Sequence, residues 1–119
     1  MKYLHRVKTL SAYEGARVCL KNELTYPSYM MLKEAARGVL SYVAEDVLDR
    51  DISDKTKLSR LIEFMEEGLV SKEDMENIQK LITAENEGLQ GILSMELDDL
   101  MKIKKSIKKI IVTYIKEPV

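Results

Sequence analysis

The stretch "SYMMLKEAARGVLSYVAEDVL", residues 28–48, decides the fold. Met31, Leu32, Ala35, Ala36, Val39, Leu40, Val43 and Val47 recur at helical spacing and cover a face too wide for one neighbour. Such a helix has to pack on several partners at once, which makes it the centre of a bundle rather than an edge. Ala36 and Gly38 add small residues that let a partner helix approach closely on one side.

Toward the N-terminus, "SAYE" reads as a capping box, with Ser11 as N-cap and Glu14 three residues later. Helix 1 is expected from there, with Leu10, Tyr13, Ala16, Leu20 and Leu24 on its apolar stripe. It should end at "LTYPS", because Pro27 biases Tyr26 out of the helical region.

Toward the C-terminus, "DRDISD" (residues 49–54) is a polar connection. Helix 3 follows with Leu58, Leu61, Ile62 and Met65, and Gly68 suits a C-terminal cap. "SKED" then pairs Ser71 with Asp74 at the start of helix 4, which carries Met75, Ile78, Leu81 and Ile82. "TAENEGLQGI" (residues 83–92) reads as a joint. Helix 5 spans "SMELDDLMKIKKSIKKIIVTYI" (residues 94–115), acidic at Glu96, Asp98 and Asp99 and basic later, as the helix dipole favours. Pro118 ends it. No run alternates with period two long enough to make a strand. The expectation is an all-α protein: an antiparallel up-and-down helical bundle of four to five helices in a single domain over residues 1–119.

Composition removes several functions. A charged content of 33% beside 45% hydrophobic residues describes a globular chain, and a net charge of −1 gives no overall attraction to nucleic acid or anionic lipid. One cysteine, Cys19, excludes an intrachain disulfide and a multi-thiolate zinc site. The one histidine, His5, falls before the expected start of helix 1, so a histidine-based triad or metal site would rest on a frayed terminus. No segment approaches the ~20 apolar residues of a membrane span. The first ten residues lack the apolar run of a secretory signal, and the expected location is cytoplasmic.

Three groups of residues invite chemistry. The lysines of helix 5, with Lys102, Lys105 and Lys109 as the candidate nucleic-acid-binding set, offer a phosphate-binding stripe. The competing reading is a solvated helix face, which the lack of interleaved aromatic residues favours. Glu63, Glu66, Glu67, Glu73, Asp74 and Glu76 offer carboxylates for a hard cation, but no Glu-x-x-His pair accompanies them, and surface charge is the simpler account. Met30, Met31, Met65, Met75, Met95 and Met101 read as adaptable core or interface filler, and Tyr13, Tyr29, Tyr42 and Tyr114 suit a pocket or a dimer face. No phosphate-binding glycine loop occurs, and neither a metal nor a cofactor is expected.

From residue 11 to residue 115, the order of parts resembles the HEPN family of small helical bundles. That family has two long helices, a helix of the form "xLxxLIxxxxxxG", a further helix, and then R-N-x-x-x-H opening a last long helix. The matching hexad here is E-N-E-G-L-Q, residues 85–90. Asn86 matches the family's asparagine, Glu85 stands at its arginine, and Gln90 stands at its histidine. The resemblance implies a bundle that dimerises near this hexad and often partners a nucleotidyltransferase in a toxin–antitoxin-type pair. In catalytic members the arginine steadies phosphate charge and the histidine assists RNA cleavage. Glu85 would repel phosphate, and Gln90 does not titrate near neutral pH. The expectation is therefore a chain that is not a ribonuclease and acts by protein association, as a homodimer. The alternative is nucleic-acid or nucleotide binding through the helix 5 lysines beside such a partner.

Overall fold

The computed structural model describes residues 2–119, and every regular element among them is helical. In chain order these are α1 (Lys2–Lys21), α2 (Thr25–Asp46), α3 (Leu58–Met65), α4 (Lys72–Asn86), α5 (Gly88–Leu93) and α6 (Leu97–Ile110). A π-helical turn, Ile111–Ile115, continues α6. The radius of gyration is 13.1 Å, against about 13.5 Å expected for a compact domain of this length.

The broad face of α2 takes the central role that its sequence requires. Leu32, Ala35, Ala36, Val39, Leu40 and Val43 are fully buried, and α2 touches each of the other helices. Its closest partner is α1. Gly38 is the reason α1 fits so near: a Cβ there would overlap the Thr9 hydroxyl and lie 3.2 Å from the Thr9 Cα and backbone nitrogen. From the far side, Leu100, Ile103, Ile107, Ile110 and Ile111 close the core, all buried along one stripe of α6 and its π turn.

Helix 1 differs from its expectation. Ser11 is an exposed residue inside α1, not its N-cap, and Glu14 pairs with Arg17 one turn on. The helix starts nine residues earlier because its inward stripe is partly polar. His5, Thr9, Ala12 and Ala16 follow one another at helical spacing and are buried. The Thr9 hydroxyl donates to the His5 carbonyl at 2.6 Å, and His5 Nε2 lies 3.0 Å from Glu45 Oε1 on α2. Polar residues whose groups are satisfied this way do not interrupt a helix. His5 therefore sits on an ordered helix, not on a frayed end.

Helix α2 likewise begins at Thr25, ahead of Pro27. Pro27 falls in the first turn, where a backbone N–H has no intrahelical partner to lose. Glu23, at φ 56°, makes the turn from α1 in left-handed conformation. The expected caps of α4 are present: the Ser71 hydroxyl accepts from the Asp74 N–H at 3.2 Å. The "DRDISD" connection lies beside α3, and Arg50 and Arg60 both stack over the Phe64 ring, 5.2 and 4.7 Å from its centroid.

The larger correction is at the joint. Residues 88–93 form α5, a helix of their own, so the described residues form six α-helices where four to five were expected. Gly88 adopts φ +77° and breaks the path of α4. Gly91 is buried, and a Cβ there would come within 2.5 Å of the Glu87 Cβ and 2.6 Å of the Ala84 carbonyl. Two glycines three apart thus fold a short helix back against the end of α4.

Candidate functional site

The hexad 85–90 bridges the last turn of α4 and the start of α5. Glu85 is held by charge: its Oε1 lies 3.0 Å from the Lys33 ammonium on α2. Near this pair is Tyr29, 1% exposed, whose hydroxyl donates to the Leu81 carbonyl at 3.2 Å. Burial pushes the Tyr29 phenol up to about 12, and the neighbouring Glu85 carboxylate adds to the shift. The cause is physical: a phenolate here would be desolvated and would face a negative charge.

Gln90 is fully outside the core on α5, and its backbone carbonyl accepts from the N–H and the hydroxyl of Ser94, at 3.0 and 2.7 Å. Asn86 is exposed at the last position of α4. It borders a cleft of about 500 Å³ between α2, α3 and the preceding loop. Lys33, Arg37, Lys55 and Lys57 line the same cleft, with the acids Glu85 and Asp54 beside them. Arg37 points its guanidinium at the Asp54 and Thr56 carbonyls, at 2.7 and 3.3 Å, and so fixes the loop that carries Lys55 and Lys57. Sequence reasoning missed this cationic cleft. The signal was Lys33 and Arg37 four residues apart on α2, which places both on one stripe.

Around α5 the surface turns apolar. Leu89 is 61% and Leu93 55% exposed, one turn apart on the outer side of α5. Tyr26 and Met30 are 42% and 37% exposed on α2, along the stripe that continues to Lys33. Helices α2 and α5 are in contact.

The lysines of α6 divide. Lys102 and Lys105 are exposed and border a cleft of about 560 Å³ that Tyr13 also lines. Lys104 covers the Tyr13 ring at 5.7 Å, and the ring is 3% exposed, so no base can stack on it. Lys109 leans the other way, 3.8 Å from Asp74 on α4. Asp74 is itself buried: its Oδ1 accepts from the Ser106 hydroxyl at 2.7 Å, and Ser106 accepts from the Asn77 amide at 3.0 Å. Asp74 therefore belongs to the α4–α6 seam, while Glu63, Glu66, Glu67, Glu73 and Glu76 are exposed. Among the described residues, no group of three or more His, Cys, Asp or Glu side chains is placed to hold a metal ion. No helix among them is long and apolar enough to cross a membrane.

The tyrosines serve the interior more than a face. Tyr13, Tyr29 and Tyr42 are buried, and the half-buried Tyr114 donates its hydroxyl to the Leu69 carbonyl. Of the methionines, Met65 is buried, Met31, Met75 and Met95 are half-buried against the core, and Met30 and Met101 are exposed. Cys19 is a half-buried free thiol on α1.

Comparison of the chain with protein-family models, with curated proteins and with solved structures gives no match.

Proposed function

We propose that this chain is a non-catalytic, HEPN-like up-and-down bundle that works by protein association, as a homodimer paired through α5 and the start of α2. The observation that carries the reading is the exposed set of Leu89, Leu93, Tyr26 and Met30 on two helices that touch. Their exposed apolar surface is on the order of 400 Å², about half of one partner's share of a standard interface. That is enough for the centre of a dimer contact, with polar residues as its rim. The bundle part of the reading is supported by consecutive packing of α1 on α2, α2 on α3, α3 on α4 and α4 on α5.

The non-catalytic part rests on the two exchanged residues. Glu85 neutralises Lys33 rather than offering a cation, and the amide of Gln90 neither gives nor takes a proton at neutral pH. Light scattering over a range of concentrations, together with an RNA-cleavage assay, tests the reading. A monomer that cleaves RNA would refute it.

A second reading, nucleotide or nucleic-acid binding beside a nucleotidyltransferase-type partner, has one observation in its favour. Lys33, Arg37, Lys55 and Lys57 share the cleft that Asn86 borders. In this form the contact moves from Lys102, Lys105 and Lys109 to the α2–α3 side. Affinity that falls steeply with salt and is lost in Lys55→Glu/Lys57→Glu, but kept in Lys105→Glu/Lys109→Glu, is its signature.

A further inference from the structure

Neither reading above uses the lysines of α6. From Leu100 to Lys116 the chain carries six lysines and no Asp or Glu. No other acid-free stretch of the sequence holds more than three Lys or Arg. In a chain of net charge −1, this segment at +6 leaves the remainder at −7. The charge is therefore polarised along one helix. An anionic surface attracts that helix and repels the rest of the chain, which fixes the side that approaches.

The fold keeps most of this charge outside. Ile103, Ile107, Ile110 and Ile111 take the buried side of the helix, which leaves Met101, Lys105 and Lys108 on the opposite side at i, i+4 and i+7. These three border one cleft with Lys102, where Asp98 is the one acid. Among the described residues, Lys102, Lys105, Lys108 and Lys116 are exposed and have no carboxylate within 4.0 Å. Apolar side chains are interleaved with them. Met101 is 49% exposed, and Val112, one turn beyond Lys108, is 47% exposed.

We infer that the exposed face of α6 docks on an anionic lipid bilayer, at the level of the headgroups. Three features favour a bilayer over a nucleic acid. All six cations are lysines, point charges without the planar fork by which arginine grips single phosphates. Such charges suit the diffuse field of an anionic leaflet. Tyr13, the aromatic ring beside them, is buried under Lys104 and offers no face to a base. Met101 and Val112 gain nothing from a phosphodiester backbone, but at a bilayer they leave water for the acyl boundary. The contact is peripheral, since no helix among the described residues is long and apolar enough to cross a membrane. The inference goes beyond self-association and does not rest on it, because α5 and the start of α2 supply none of these residues.

The test is co-sedimentation of the full chain with sucrose-loaded vesicles of phosphatidylcholine, alone or mixed with phosphatidylserine. The wild type should sediment with the mixed vesicles only, and added salt should release it. Lys105→Ala/Lys108→Ala should weaken binding by roughly 25-fold, at about fivefold per lysine. Met101→Gln/Val112→Thr keeps size and charge and should weaken it several-fold by removing the apolar insertion. Lys8→Ala/Lys72→Ala removes the same charge from α1 and α4 and should bind as the wild type does. All six side chains are exposed, and circular dichroism checks that each variant stays helical.

Equal sedimentation with both kinds of vesicle, or none with either, would overturn the inference. So would undiminished binding by Lys105→Ala/Lys108→Ala or by Met101→Gln/Val112→Thr, or an equal loss in Lys8→Ala/Lys72→Ala. Single-stranded RNA, matched in phosphates to the accessible phosphatidylserine, should leave the chain on the vesicles. Release by that RNA would make the occupant a nucleic acid and overturn the inference.

Discussion

The Glu85 carboxylate lies 3.0 Å from the Lys33 ammonium and acts on the phenol of the buried Tyr29. This pair joins the last turn of α4 to α2 at the point where the chain turns into α5. It makes residue 85 a neutralised structural contact. Because the Glu85 side chain is half exposed, Glu85→Ala should cost no more than about 1 kcal/mol in urea unfolding.

Tyr29 gives the account a pH signature. Its phenol is raised from 10.0 to about 12 in the folded chain. The folded state therefore holds this proton where the unfolded state has lost it. The contribution is intact below pH 10.0 and disappears as pH rises toward about 12. Urea melts of wild type and Tyr29→Phe across this window should converge, the wild type losing stability that the variant keeps. At neutral pH the variant should be weaker by about 1 kcal/mol, for the lost bond to Leu81. Parallel curves above pH 10.0 would mean that the phenol is not held this way.

Gly38 should be intolerant of even one methyl group. An added Cβ overlaps the Thr9 hydroxyl and presses the Thr9 backbone at 3.2 Å, and that hydroxyl is fixed by its bond to His5. Gly38→Ala is expected to cost about 1–3 kcal/mol by overpacking, despite alanine's better helix propensity. Adding Thr9→Ala removes the overlapping oxygen and should recover part of the loss, as a double-mutant cycle would measure.

The buried Asp74 ties α4 to α6 through Ser106, so its removal leaves a hydroxyl without its acceptor. Asp74→Ala should destabilise the chain by roughly 2–3 kcal/mol, whereas Lys109→Ala, at an exposed ammonium 3.8 Å away, should change stability by less than about 1 kcal/mol. Thermal or urea unfolding of the two variants checks the contrast.

Much of the fold was legible because its core residues are strongly periodic. Val39 and Leu40 on α2 and Ile103, Ile107 and Ile110 on α6 are where the pattern puts them. The cap at Ser71 was legible from local chemistry. Two things were not. The first turns of α1 bury His5 and Thr9, whose partners lie on α2 and on their own helix, and a polarity scale reads such residues as surface. Helix α5 is too short for periodicity to register, and its two glycines look like a linker unless the close approach of Gly91 to Ala84 is known. At the site, Glu85 and Gln90 could be identified from sequence, but their surroundings could not. The cationic cleft joins Lys33 and Arg37 to Lys55 and Lys57, residues that only the tertiary fold brings together. Likewise the lysines of α6 read as one face, whereas Lys104 and Lys109 turn to opposite neighbours.

The most direct measurement is light scattering of the wild type and Leu89→Asp/Leu93→Asp over a concentration series. Both leucines are more than half exposed, so the substitutions should leave helical circular dichroism unchanged. The account predicts a wild-type mass that rises to that of two chains and a variant that stays at one. A wild type that remains monomeric throughout, or a variant that dimerises as well as the wild type, would contradict it.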